Sequence, residues 1–222
     1  MINLAKYSAQ FEQKFKKYRK SEYQHIVDIV ENRLGNKEAL NAISSAQFAK
    51  AMELLEPVIK MRNYKTQIPF PEDIRAVMLI VVAIKASKPQ EKEISAQHKA
   101  LFIKLITIDS FELPTVSAVF HFCYPEHFPI VDKYIAEACR FLKKDSKMRL
   151  AAPKLPYVND AVISKFNRYR DFAKFLNLVR DKYEIPSYRE LDMALMVLGS
   201  KEWTKQLKQK QAMNSTQAKR RD

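Results

Sequence analysis

Apolar residues recur at three- and four-residue steps along most of the chain, the spacing of amphipathic helices. In the middle of the sequence, one such face predicts a helix from about Glu112 to Cys123; its members are Val116, Val119, Phe120 and Cys123. Pro125 and Pro129 then interrupt the pattern, because proline clashes with a preceding helical turn. Asp132 stands where an N-cap belongs, so a second helix is predicted to begin there.

The same pattern predicts helices on both sides of this segment. Pro71 followed by two acids is a strong helix start, and this helix should run to about Ala86. Because residues 76–84 are apolar nearly all round, it should be central in the core. Ser95 should open the next helix, and 158–183 reads as one long helix. Further helical signals are the face that runs from Phe11 to Leu34 before Gly35, the capping box Ser44/Gln47 before a loop at 61–70, and the capping box Ser187/Glu190.

Composition favours an all-helical protein of the reducing cytoplasm. The 222 residues include only two glycines, whereas sheet proteins need glycine-rich turns. Two cysteines suit neither a disulfide framework nor an iron–sulfur cluster, which takes four. The four histidines lack metal-binding spacing, and no Gly-rich phosphate loop is present, so no metal or cofactor is expected. The longest apolar run, 76–84, is too short to span a membrane.

The net charge of +14 is concentrated at the two ends of the sequence. Residues 1–20 carry six Lys/Arg against one acid, and residues 201–222 carry seven against two. A basic surface attracts nucleic acid by counterion release, although solubility alone is a simpler explanation of basic tails. Three regions are expected: an N-terminal helical region (1–70), a helical core (71–203) and a basic tail (204–222) that is too polar to fold.

Several motifs of the core occur together in one family. Val131-Asp132 follows Ile108–Glu112 at a spacing of 24 positions, and Ser117–Phe122 (SAVFHF) precedes a Pro125–Asp132 segment. Together with two further matches, Tyr169-x-x-Phe172 and Arg189–Leu195, this set resembles the helix-hairpin-helix DNA glycosylase superfamily and its small bacterial members. The resemblance covers about 71–203. It implies a two-lobed helical bundle with the site between the lobes, and a catalytic aspartate at Asp132.

The chain departs from the family at the hairpin. Ser110 and Glu112, with Phe111 between them, stand where the family has glycines that let backbone N–H groups approach a DNA phosphate, so the hairpin is degenerate. Pro114 stands where strand-cleaving members have a lysine, which leaves a monofunctional, hydrolytic enzyme as the expectation. Of the family's Trp-Lys pair only the lysine, Lys85, is kept.

The candidate residues each have a plainer interpretation. Asp132 is either the catalytic acid or a simple N-cap, and one aspartate can be both. The base pocket or wedge is assigned to loop aromatics that could instead pin the loop to the core: Tyr124, His127 and Phe128. DNA binding is assigned to residues that could also be solvated or serve helix ends: Ser110, Lys85, Lys133, Lys143 and Lys144. His121 is expected to be a hydrogen-bonded core histidine.

Three functions compete. The first is a DNA glycosylase that extrudes a damaged or modified base from duplex DNA, in repair or in defence against hypermodified viral DNA, at the nucleoid. The second is an inactive module of the same architecture that binds nucleic acid or a protein. The third is a helical domain whose basic ends bind RNA. No membrane partner is expected.

Overall fold

The computed structural model describes residues 2–15, 20–30, 71–87, 89, 94–108, 111–146 and 151–218. Within these ranges the regular structure is helical and there is no strand, so the all-α prediction is confirmed for them. The helices are α1 (Leu4–Ala9), α2 (Phe11–Lys14), α3 (Lys20–Ile29), α4 (Pro71–Ala86), α5 (Ala96–Ile106), α6 (Leu113–Cys123), α7 (Lys133–Ser146), α8 (Val162–Lys182) and α9 (Tyr188–Ala218). The predicted Ser44/Gln47 capping box and the 61–70 loop lie outside the described residues.

Local capping chemistry sets several helix starts where the sequence predicts them. α4 begins at Pro71 and ends at Ala86 as expected. The Ser95 hydroxyl accepts a hydrogen bond from the backbone N–H of His98 at 3.2 Å, and that of Ser187 accepts one from Glu190 at 3.1 Å. Each hydroxyl satisfies an N–H of the first turn that has no partner within its own helix.

Two predicted helices differ in length from the structure. The face beginning at Phe11 is interrupted at Phe15, which leaves helical geometry at φ −119° and ψ 62°. The long helix predicted over 158–183 is α8, which starts at Val162. A turn closes first, with the Asp160 carboxylate accepting a hydrogen bond from the N–H of Tyr157 at 3.0 Å.

The prediction of a disordered tail is wrong for residues 204–218, since α9 continues to Ala218. No glycine or proline follows Gly199, and the tail is rich in Lys, Gln and Ala, which favour helix. The basic linker predicted to follow Arg140 also starts later than expected. α7 runs to Ser146, so Lys143 and Lys144 belong to its last turn.

The buried apolar residues form one cluster to which every helix named above contributes, together with the loop residues Phe111, Phe128 and Val131. α7 and α9 pack against each other most closely. Gly199 makes this possible, because a Cβ atom there would lie 1.9 Å from the carbonyl oxygen of Tyr134. The start of α7, which carries the candidate aspartate, is therefore fixed against α9.

The N-terminal helices are held to α9 by a cation between two rings. The Arg189 guanidinium lies 4.1 Å from the ring centroid of Tyr23 and 5.0 Å from that of Phe11. Its Nη1 also lies 3.3 Å from a carboxylate oxygen of the buried Asp192. Arginine suits this position, since its flat guanidinium stacks on rings while bonding a carboxylate. The described part of the N-terminal region therefore shares the core of the rest.

Candidate functional site

Asp132 caps α7 as the sequence predicts. One carboxylate oxygen, Oδ1, accepts hydrogen bonds from the backbone N–H groups of Tyr134 and Ile135, both at 2.9 Å. The side chain is half-buried, neither sealed in the core nor fully in solvent. The N–H donors and the positive end of the helix dipole both favour the charged carboxylate. The site thus presents a fixed anion at the edge of the fold.

The loop before Asp132 is held in place by Ser117 of α6. The Ser117 hydroxyl accepts a hydrogen bond from the N–H of Val131 at 3.0 Å and donates one to the carbonyl of Pro114 at 3.0 Å. Val131 is buried, so its N–H would otherwise have no access to water. The catalytic candidate is therefore positioned by the residue next to it as well as by its own cap.

His121, one helical turn after Ser117, holds the middle of the same loop. Its Nδ1 lies 2.7 Å from the carbonyl oxygen of Phe128, and its Nε2 lies 2.8 Å from the Tyr23 hydroxyl. A carbonyl only accepts, so Nδ1 carries the proton and Nε2 accepts from Tyr23. His121 is buried, which confirms the prediction of a hydrogen-bonded core histidine. Tyr169 adds a third bond, donated to the carbonyl of Pro129 at 3.3 Å.

The structure brings the loop aromatics together but gives them different surroundings. Phe128 is only 2% exposed and packs edge-on against His98 and Phe120, each at 5.2 Å between centroids. Its assignment to a base pocket or wedge is therefore corrected, because its ring anchors the loop in the core. His127 is exposed, and Tyr124 is half-buried beside it, with ring centroids 6.1 Å apart. These two keep access to solvent.

Lys85 is engaged by the end of α6. Its ammonium donates to the carbonyl of Cys123 at 3.3 Å and lies 5.0 Å from the ring centroid of Tyr124. The Tyr124 hydroxyl in turn donates to the carbonyl of Lys85 at 2.6 Å. A cation at the last carbonyls of a helix is favourable, so these contacts match the plainer interpretation of Lys85. Burial raises the pKa of Tyr124, which keeps its hydroxyl protonated as a donor.

The remaining DNA-binding candidates are spread along the fold. Lys133 is exposed at the start of α7, with its ammonium 5.0 Å from the Tyr134 ring. Lys143 and Lys144 are about 16 Å further along the helix axis, at 1.5 Å per residue, and so do not share a site with Asp132. Ser110 lies outside the described residues. Glu112, which the resemblance aligns with the hairpin, lies 3.8 Å from Lys165 and forms an ion pair within the protein.

Neither cysteine is a candidate nucleophile. Both are buried, and burial raises the pKa of Cys123 to about 12 and that of Cys139 further still. A thiol needs a lowered pKa and access to react, and both are missing here. In the described part of the chain no group of three or more His, Cys, Asp or Glu side chains could hold a metal ion, and no helix there is long and apolar enough to cross a membrane.

No family model, characterised protein or solved structure matches this chain.

Sequence reasoning placed Asp132 and its cap but missed the residues that hold the loop. The sequence indicates Ser117 only as part of a motif and His121 only as a core histidine, and it predicts no role for Tyr23 or Tyr169 in holding the loop. One signal was available: residues 117 and 121 are four apart on an otherwise apolar helix, so two polar side chains share one buried face. Tyr23, the partner of His121, lies 98 residues away along the chain, and Tyr169 lies 40 residues from Pro129, whose carbonyl it bonds, so no local pattern reveals either contact.

Proposed function

We propose that this protein is a monofunctional DNA glycosylase that hydrolyses the bond between deoxyribose and a damaged or modified base, with Asp132 as its catalytic carboxylate. The single observation that supports this most is the position of Asp132: a half-buried carboxylate at a helix start, fixed by two backbone donors. That is also the position the resemblance assigns to the catalytic aspartate. The proposal includes the family's two-lobed arrangement.

The chemistry needs one carboxylate and one water. The base must leave the stack before its glycosidic bond can be reached. As that bond breaks, the sugar gains oxocarbenium character, which a nearby anion stabilises. Water then adds to C1′, its proton passes to the carboxylate, and the glycosidic electron pair leaves with the base. The products are a free base and an abasic site, and no metal or redox partner takes part.

The net charge of +14 supports duplex DNA as the substrate, because neutralising phosphates releases counterions. Tyr124 and His127 are ring-bearing loop residues that keep access to solvent, so they are the candidates to contact an extruded base. With Pro114 in the first turn of α6, the position aligned with the family's strand-cleaving lysine cannot form a Schiff base.

The test uses duplexes that each carry one modified base, including alkylated and hypermodified bases. After incubation with the protein, hot alkali cuts the strand at any abasic site, and gel electrophoresis counts the breaks. We expect breaks with at least one substrate and none before alkali. Absence of breaks with every substrate would remove the enzymatic proposal.

Asp132→Asn is the informative variant, because asparagine caps helices about as well as aspartate does. Its side-chain oxygen keeps the bonds to Tyr134 and Ile135, so folding should be preserved while the anion is lost. Asp160→Asn is a matched control, since Asp160 also bonds a backbone N–H but lies in an exposed turn. We expect strand breaks to fall by about 100-fold or more for Asp132→Asn, the scale of a lost general base, and to be unchanged for the control.

A second candidate is an inactive module of the same architecture that binds DNA without cleaving it. The burial of Phe128 and the ion pair of Glu112 with Lys165 favour it, because both take family positions away from contact with DNA. This function predicts salt-dependent DNA affinity that does not depend on base modification, together with no abasic product. The same duplexes, measured by fluorescence anisotropy, separate the two functions.

A further inference from the structure

The fold places the two basic ends of the chain side by side. α1 and α2, from the first basic segment, pack against α9, which carries the second. The Lys14 ammonium donates to the Ser200 hydroxyl at 2.6 Å, and the Lys201 ammonium donates to the side-chain oxygen of Gln10 at 2.9 Å. These contacts join residues 186 and 191 positions apart, so the sequence alone does not indicate this meeting of charges.

Lys14 and Lys201 are close enough to repel each other. Partial burial and the neighbouring Lys201 charge lower the pKa of Lys14. Among the described side chains no carboxylate lies within ion-pair distance of either ammonium. Two like charges held close together cost folding energy, and an anion bound between them would reduce that cost.

Ser200 fixes the direction of the Lys14 ammonium. The Ser200 hydroxyl donates its proton to the carbonyl of Val197 at 2.9 Å, so toward Lys14 it acts as an acceptor. Because Ser200 is buried within α9, the ammonium is anchored to a rigid element. An ammonium has three donors, so this one bond leaves others for a ligand.

Aromatic rings alternate with the lysines and extend this face toward Asp132. Lys201 lies 4.8 Å from the ring centroid of Tyr7, and Lys14 lies 5.8 Å from that of Phe15. The Phe15 ring is 6.5 Å from that of Tyr134, which bonds Asp132 through its N–H and lies beneath the Lys133 ammonium. The lysine surface, as we call it, consists of Lys14, Lys201 and Lys133 with the rings of Tyr7, Phe15 and Tyr134.

We infer that the lysine surface binds the phosphate backbone of DNA and leads the strand to the start of α7. Basic groups interleaved with rings are the chemistry by which proteins follow a nucleic-acid backbone. A membrane is a poorer match, because membrane-surface helices expose large apolar side chains. The large apolar residues exposed in the described structure lie elsewhere, on α4, on α8 and in the loop before α8. The inference rests on the DNA binding in the proposed function and does not need its chemistry.

The test compares the full chain with a Lys14→Gln/Lys201→Gln double variant on unmodified duplex DNA, by fluorescence anisotropy between 50 and 200 mM salt. Loss of two phosphate contacts should reduce the slope of log K against log salt by about 1.8, and affinity at 0.1 M salt by about 60-fold if counterion release is the whole effect. Lys104→Gln/Lys174→Gln is the control, since it removes the same charge from exposed sites on α5 and α8. We expect it to change the slope little.

Equal losses in both double variants, or no loss in the first, would overturn the inference. So would binding to anionic phosphatidylserine vesicles without binding to DNA. If the double variant fails to fold, the unaltered protein still decides the question: acetylation of Lys14 and Lys201 by an amine-reactive ester, read by mass spectrometry, should be slowed by DNA, and no protection overturns the inference. Because the DNA is unmodified, a failure here is distinct from a failure to form abasic sites.

Discussion

Replacing Gly199 with alanine should destabilise the fold, although alanine is by far the better helix former. The new methyl carbon would lie 1.9 Å from the carbonyl oxygen of Tyr134, whereas ordinary contact begins near 3.4 Å. α7 and α9 would therefore have to separate locally by about 1.5 Å. The obstacle is main chain, which no side-chain rotation can move out of the way.

The expected magnitude follows from two opposing effects. A gap of about 1 Å already removes up to half of the dispersion attraction across a contact, and overpacking typically costs about 1–3 kcal/mol. Alanine regains about 1 kcal/mol of helix propensity relative to glycine. Because the clash is with backbone, we take the upper end of the cost and expect a net loss of about 2 kcal/mol. For a chain of this size that lowers Tm by roughly 4–8 °C.

Thermal and urea unfolding followed by circular dichroism measure this effect. Ala100→Gly, at an exposed position of α5, provides the propensity term alone and should cost about 1 kcal/mol. Truncating the Tyr134 side chain in the Gly199→Ala protein should restore nothing, since the clash is with its carbonyl. Equal or greater stability of Gly199→Ala would refute the close helix crossing.

Three other measurements address the site and its surroundings. Ser117→Ala leaves the buried N–H of Val131 without its acceptor and should cost about 1–3 kcal/mol in the free energy of unfolding. Cys123 and Cys139 should resist iodoacetamide at pH 8 in the folded protein, because both thiols are buried and their pKa values are raised. Burial lowers the pKa of His98 below its usual 6.5, so between that lowered pKa and 6.5 the unfolded state binds more protons. Stability should therefore fall as the pH drops below about 6.5, by at most about 1.4 kcal/mol per pH unit.

Each of these has its own control. Thr107→Ala removes an exposed side-chain hydrogen bond and should change stability by no more than about 0.5 kcal/mol, against which Ser117→Ala is judged. Both thiols should react fully in 6 M urea (roughly the range that unfolds a small domain); fast labelling without denaturant would contradict their burial. His98→Gln should flatten the pH dependence just below pH 6.5, and an unchanged profile would assign it to another group.

Helix starts could be predicted because their causes are local. Ser95 and Asp132 bond N–H groups within three residues, and Pro71 fixes its own backbone angle, so the sequence carries the whole signal. The limits of the N-terminal helices could not be predicted, because the apolar spacing continues through Phe15 although the backbone there is not helical. The prediction for the tail differs from the structure for a related reason. Its polar composition suggests disorder, while its lack of helix breakers permits α9 to continue.

The candidate site was predictable at Asp132 but not around it. An aromatic residue in a loop can contact a ligand or anchor the loop in the core, and the sequence looks the same in both cases. Only the packing of its ring assigns Phe128 to the core. The Tyr23–His121 bond and the approach of Lys14 to Lys201 depend on which helices meet. Which helices pack together is determined by how the whole core packs, and no single segment of the sequence shows it.

The stacked arginine has a practical consequence for anyone shortening the chain. A fragment beginning after Val30 would lack Phe11 and Tyr23, so Arg189 and the buried Asp192 would lose their covering rings and His121 would lose its hydroxyl partner. Such a fragment should be judged first by its melting curve, because a loss of activity would reflect damage to the interior. Point substitutions are the better means of dissecting this protein.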